Sequence, residues 1–215
     1  MVVGASGLGK STFVNTLFET TVISKRPVAK SDKVNVNPTI AITPYTLDLD
    51  EDGVKVNLTL VDTPGFGDAL DNSDNFSLVL DYLENQFDEV LAEESRIKRN
   101  PKFIDNRVHV LLYFIPPSGH GLRELDVLAM KTLGKRVNII PVISKADGFN
   151  PTELQEFKRK IMFDIDGLDI PVFKFPYDPE EDEESVIQEN TALSVSFRGN
   201  EREKGRGEER VLDSG

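Results

Sequence analysis

Gly4-Ala5-Ser6-Gly7-Leu8-Gly9-Lys10-Ser11-Thr12, entered from the apolar run Met1-Val2-Val3, decides how the rest of the chain is read. Its spacing is G-x-x-x-x-G-K-[ST], which predicts a strand, a glycine-rich turn and a helix in immediate succession. In that arrangement the turn's backbone N–H groups point inward and the positive end of the helix dipole faces the same point, so the loop cradles phosphate. Lys10 then reaches β- and γ-phosphates, and the Ser11 hydroxyl ligates Mg²⁺. A strand-loop-helix unit of this kind belongs to the α/β class, and specifically to the three-layer P-loop NTPase architecture with a mostly parallel sheet and helices on both faces.

Working outward, Ser11 to Phe18 has helical spacing, with Phe13, Val14, Leu17 and Phe18 on the face expected to meet the sheet. The polar stretch 24–37, which holds Lys25, Arg26, Lys30 and Lys33, reads as a solvated connection. Alternating runs at Tyr45–Leu49 and Val54–Val61 flank Asp50-Glu51-Asp52-Gly53 and predict a hairpin with an Asp-Gly turn. Phe76, Val79, Leu80, Leu83, Phe87, Val90 and Leu91 recur at three- and four-residue intervals and predict a long amphipathic helix. Continuous apolar runs at Val108–Ile115 and Val137–Ile143 suit strands covered on both faces. Helices are expected at Leu122–Leu133 and Thr152–Ile165, and a last short strand at Ile170–Phe175. Strands alternating with helices require a mostly parallel sheet.

Composition bounds the chemistry. The 215 residues carry a net charge of −12, which argues against a general nucleic-acid-binding surface. Cysteine is absent, so disulfides and thiolate metal sites are excluded. No apolar run approaches a membrane span, and Met1 leads straight into the first strand rather than into a signal sequence; a cytoplasmic protein is the expectation. From Asp178 the chain turns acidic and then mixed in charge. The expected division is a nucleotide-binding domain over 1–177 and a disordered tail over 178–215.

Two further motifs choose the ligand. Asp62-Thr63-Pro64-Gly65 ends an apolar strand in the D-x-x-G pattern, which lets Asp62 reach the Mg²⁺ held by Ser11 and the Gly65 N–H bond a γ-phosphate. Ser144-Lys145-Ala146-Asp147 follows the buried run ending at Ile143. A carboxylate at Asp147 pairs with the N1–H and N2–H₂ edge of guanine but would face an acceptor in adenine. The Lys145 stem can lie over the base. Ser144 stands where many guanine-nucleotide proteins carry Asn, which weakens a brace for the phosphate loop.

Together with Asp105-Asn106-Arg107-Val108-His109 and Gly119-His120-Gly121-Leu122, these motifs resemble those of the septins, with 93–101 and Phe175-Pro176-Tyr177-Asp178 most like fungal subunits at filament ends. The resemblance covers about Met1 to Leu193. It implies a GTP-binding cytoskeletal subunit that assembles with other septin subunits into hetero-oligomeric filaments at a division site, septin ring or bud neck, with peripheral membrane contact. It further implies phosphate contacts from Gly7, Gly9, Lys10, Ser11 and Thr12 in the loop that Gly4 opens, and base recognition by Lys145 and Asp147. A switch threonine near the γ-phosphate falls on Thr46, with Thr39 and Thr43 close by. His120 and Glu153 match positions that reach across the nucleotide-side contact between subunits, although a lone loop histidine is otherwise structural or merely exposed.

Catalysis would rest on positioning and on charge neutralisation by Lys10 and Mg²⁺. Phe66 stands where fast switch proteins often carry a water-orienting Gln, so slow or absent hydrolysis is expected, with GTP or GDP retained at a subunit interface. The alternatives are an active monomeric GTPase switch and a non-functional fragment. The fragment reading arises because missing the last core strands would remove burial that a marginally stable domain can hardly spare. Neither a strand of Ala-Ile-Val-Gly-Ser type completing the guanine pocket nor a Trp-Gly element is recognised, and Ser194–Gly215 resembles no septin segment.

Overall fold

The computed structural model describes residues 1–18, 42–51, 53–63, 65, 73–175 and 195–196. The polar stretch 24–37, Thr39, Phe66, the acidic run 178–184 and the tail beyond 196 lie outside the described residues. In chain order the elements are β1 (Val2–Gly4), α1 (Lys10–Leu17), β2 (Thr43–Glu51), β3 (Val54–Asp62), α2 (Ser73–Glu94), β4 (Val110–Ile115), α3 (Glu124–Leu133), β5 (Asn138–Ile143), a 3₁₀ turn (Ala146–Gly148), α4 (Pro151–Gly167) and β6 (Val195–Ser196). They build a six-stranded sheet in the order β2-β3-β1-β4-β5-β6. Among the described residues only the β2–β3 hairpin is antiparallel. The expected α/β fold, with a mostly parallel sheet between helical layers, is present.

The two sheet faces are covered unequally. On one, Val3, Val61, Leu111, Tyr113, Ile115, Ile139 and Ile143 meet the apolar stripes of α2, α3 and α4. On the other, Val2, Leu60, Phe114 and Val142 meet Val14 of α1, and Phe13 packs edge-on against Phe114 at 5.4 Å between ring centres. Leu17, expected to face the sheet, is instead 58% exposed; of the apolar residues of α1, Val14 is the one fully buried. Phe76, Val79, Leu83 and Val90 of α2 are buried, whereas Leu91 at the helix's far end is 62% exposed. Helix α4 starts where Asn150 caps it, with Pro151 in its first turn and the Glu153 carboxylate accepting the Asn150 N–H at 3.1 Å. Its Leu154, Phe157, Ile161 and Ile165 recur at helical spacing and are buried.

The sequence reading is corrected at the sheet's far edge. Ile170–Phe175 is not a strand: Pro171 has no N–H to donate, and a single ladder-like bond, Phe173 N–H to Ile139 O at 2.8 Å, ties the segment to β5. The edge strand is β6, whose Val195 and Ser196 lie in parallel register with Val142 and Ile143. Residues 195–196 were expected to fall in a disordered tail, and a strand at this place was expected to be missing. Spacing could not reveal a strand of only two residues beyond a long acidic stretch.

Candidate functional site

The carboxyl ends of β1, β3, β4 and β5 open on one side of the sheet, at the point where strand order reverses around β1. From β1 the chain enters the glycine-rich turn with positive φ at Gly4, Gly7 (73°) and Gly9 (85°), and Gly9 is the N-cap of α1. A Cβ on Gly7 or Gly9 would project into open space, so these residues are required by backbone conformation, while their bareness leaves the concavity free for a ligand. Lys10 is buried, and its Nζ donates to the carbonyls of Gly4 (3.0 Å) and Ala5 (2.8 Å), which holds the ammonium across the loop it belongs to. Ser11 and Thr12 are exposed on the first turn of α1.

The D-x-x-G segment is locked to this loop. Asp62 ends β3, is buried, and sits opposite Val2 in register. Thr63, also buried, donates its Oγ1 hydrogen to the Val2 carbonyl at 2.8 Å. Gly65 then passes so close to the Ser6 backbone that an added Cβ would overlap Ser6 Cα and N, so only glycine fits this crossing. Asp62, Gly65 and the phosphate loop therefore come together as expected. Thr63 was not singled out from sequence, although it lies inside the motif; its buried hydroxyl joins β3 to β1.

Of the switch-threonine candidates, Thr43 and Thr46 separate, while Thr39 lies outside the described residues. Thr43 is in direct register with Asp62 across the hairpin, whereas Thr46 pairs with Thr59. Thr46 is thus three residues, about 10 Å, further from the crevice. Because side chains alternate along a strand, it also occupies the opposite face of β2 from Thr43.

At the end of β5, Ser144 is fully buried, its N–H donates to Ile115 O at 3.0 Å, and its Oγ has no hydrogen-bond partner among the described residues. Lys145 follows with φ 50°, a left-handed conformation unusual for a side chain of this length. This twist turns Lys145 and Asp147 out to solvent while Ala146 is buried beneath them. Two exposed side chains above a buried anchor suit recognition of a flat base.

The loop 118–122 lies beside this segment. Gly119, Gly148, Phe149, Glu153, Glu156, Phe157 and Lys160 line a hollow of about 350 Å³. His120 is exposed on the loop. Glu153 is exposed too, but its carboxylate is already engaged in capping α4. Beneath the loop, Tyr113 donates its hydroxyl to Asp126 Oδ1 at 2.8 Å, and Arg123 reaches both oxygens of that buried carboxylate at 2.8 and 2.9 Å. Burial and the Asp126 carboxylate push the Tyr113 phenol far above its ordinary range, so it remains a donor. The Arg123–Asp126 pair is local to the start of α3, but Tyr113 joins it only when β4 and α3 pack together, and no sequence pattern flagged that link. Arg107, from another quoted motif, forms a bidentate pair with Asp105 at the opposite end of the sheet, and this guanidinium holds the Asp105 carboxyl below its usual range. Among the described residues no helix is long and apolar enough to cross a membrane.

Comparison with known proteins is consistent with this geometry. The family described as Septin matches residues 1–198, which includes β6. The chain is 53% identical over 199 residues to Septin homolog spn3 of Schizosaccharomyces pombe, covering 92% of this chain and 53% of that protein. It is 45% identical over 199 residues to Cell division control protein 11 of Saccharomyces cerevisiae, covering 90% and 47% respectively. The crystal structure of Cdc11 from Saccharomyces cerevisiae superposes with a TM-score of 0.62 at 41% identity, covering 90% of this chain and 73% of that one. The chain thus spans about half the length of these two curated relatives. A matched family over nearly the whole described fold, with the phosphate loop, the D-x-x-G crossing and the Lys145–Asp147 turn in one crevice, identifies the chain as a member of the septin family.

Proposed function

We propose that the chain is a guanine-nucleotide-binding septin subunit that retains GTP or GDP at a contact with other septin subunits and turns it over slowly or not at all. The observation that carries the reading is the crossing of Gly65 over Ser6, which joins the γ-phosphate sensor to the phosphate cradle. Lys145 and Asp147, exposed on the same side of the sheet, support guanine as the base. Relatives named for cell division and septation support a role at the division site, in a ring or at a bud neck. Contact with a membrane surface belongs to the same proposal and rests on the family resemblance alone.

Each residue has a physical task. Backbone N–H groups of the glycine turn and the N-terminus of α1 bind phosphate oxygens, and Lys10 leaves its carbonyl partners to neutralise the β- and γ-oxygens. The Ser11 hydroxyl and the Asp62 carboxylate are hard oxygen donors of the kind Mg²⁺ takes alongside nucleotide phosphates, and they fit that ion. Mg²⁺ would supply further charge neutralisation at the phosphates. Glu153 lines the hollow where a second subunit would meet the base side, and His120 is exposed on the loop whose Gly119 lines the same hollow.

The test is to extract and chromatograph the nucleotide that co-purifies with the protein. Near-stoichiometric guanine nucleotide is expected, with none from Lys10→Ala. Adenine nucleotide, or an equal guanine content in the Lys10 variant, would overturn the assignment.

A further inference from the structure

Loop 118–122 is held from below by one helix. Leu122 N–H donates to Asp164 Oδ2 at 2.9 Å, and Lys160 Nζ donates to Gly119 O at 3.1 Å. Both acceptor and donor stand on α4, one turn apart, and they grip the loop on either side of His120. The loop closes on itself as well: Ser118 Oγ donates to Gly121 O at 3.2 Å and accepts the His120 N–H at 3.3 Å. Gly119 (φ 76°) and Gly121 (φ 107°) supply the left-handed turns on both sides of His120. A Cβ on Gly121 would lie 2.5 Å from Asp164 Oδ2, so the bare glycine is what admits the carboxylate to the Leu122 amide.

We infer that Asp164, assisted by Lys160, is the positioning residue for His120: it fixes the loop so that the imidazole is presented to a partner subunit in a single conformation. Lys160 lines the hollow beside the guanine segment, whereas Asp164 does not. The inference rests on the proposed assembly role only for its consequence; the clamp itself is a property of this chain. Short polar loops flanked by glycine lose considerable conformational freedom when ordered, and a second molecule that binds them must supply that cost. A loop ordered beforehand by α4 removes it, which raises the affinity of the contact without adding an atom to it.

The experiment uses the full chain loaded with GDP. Hydrogen exchange at the Leu122 amide is followed in the parent, Asp164→Ala and Asp164→Asn, with sedimentation of the same samples. The alanine variant should exchange at Leu122 at least tenfold faster while amides of β4 and β5 and the nucleotide content stay as in the parent. The asparagine variant, whose amide oxygen can still accept, should restore most of the protection. Assembly should fall in Asp164→Ala as far as in His120→Ala, and no further in the double variant. Unchanged Leu122 exchange in Asp164→Ala, or loss of protection spread evenly over β4 and β5, overturns the clamp. Faster exchange with assembly untouched in both His120→Ala and Asp164→Ala upholds the clamp as a property of the fold but overturns its role in presenting His120, and with it the reading of this loop as a subunit contact.

Discussion

Asp147 and Tyr113 show two different uses of a polar side chain. Asp147 is exposed, held over buried Ala146 by the left-handed turn at Lys145, and it contributes little to the fold; its proposed work begins when a base arrives. Replacing its carboxylate with an amide exchanges one acceptor for a donor that faces the donors of guanine. For Asp147→Asn we expect guanine-over-adenine preference to fall by about 10- to 100-fold, the worth of a hydrogen bond to a charged group, while affinity for the phosphates is retained. Competition binding with GDP and ADP measures it, and an unchanged ratio would remove Asp147 from base recognition. Tyr113 is the opposite case, fully buried with its hydroxyl on a carboxylate that is itself 1% exposed. Tyr113→Phe leaves Asp126 with its Arg123 contacts but one donor short. A loss of about 1–2 kcal/mol in urea unfolding is expected, with guanine preference unchanged.

At the scale of elements, the β2–β3 hairpin distinguishes Thr43 from Thr46 as candidates to serve a γ-phosphate. Its register sets Thr43 beside Asp62 and Thr46 about 10 Å down the strand on the other face. In single-turnover hydrolysis, Thr43→Ala should therefore slow the reaction more than Thr46→Ala; the reverse order would require the hairpin to change register when nucleotide binds. Counting along the sequence could not settle this, because a one-residue shift in a strand reverses every side chain and the count carries no information about pairing. What sequence did reveal follows from strong local signals. The phosphate loop, the Asp-Gly hairpin, the α2 periodicity and the buried β4 and β5 runs each declare their structure within a short window. The Asp164 clamp, the Tyr113–Asp126 bond and the Thr63 link are invisible there, since their partners are joined only by the tertiary fold, 42 residues apart for Leu122 and Asp164. The segment Ile170–Phe175 misled for a related reason: its composition suits a strand, but Pro171 deprives it of a ladder bond.

At the scale of the whole molecule, the guanine segment depends on the last strand of the sheet. Val142 and Ile143 lead directly into Ser144–Asp147, and their outer edge is covered by Val195 and Ser196. A chain ending at Tyr177 would expose that edge beside the base pocket, whereas one ending at Arg198 keeps every residue matched by the family. Losing two or so ladder hydrogen bonds, each worth about 0.5–1.5 kcal/mol, should destabilise the shorter form by about 2 kcal/mol. For a domain of this size that corresponds to a thermal midpoint about 4–8 °C lower. Nucleotide retention should weaken with it, because the turn at Lys145 loses its support from below. The chain ending at Arg198 should match the full chain in both properties. Equal midpoints for all three chains would show that β6 adds nothing to the sheet, and a drop already present at Arg198 would assign stability to residues 199–215. The expected pattern, a loss confined to the shorter form, would make β6 the edge strand that completes the guanine pocket.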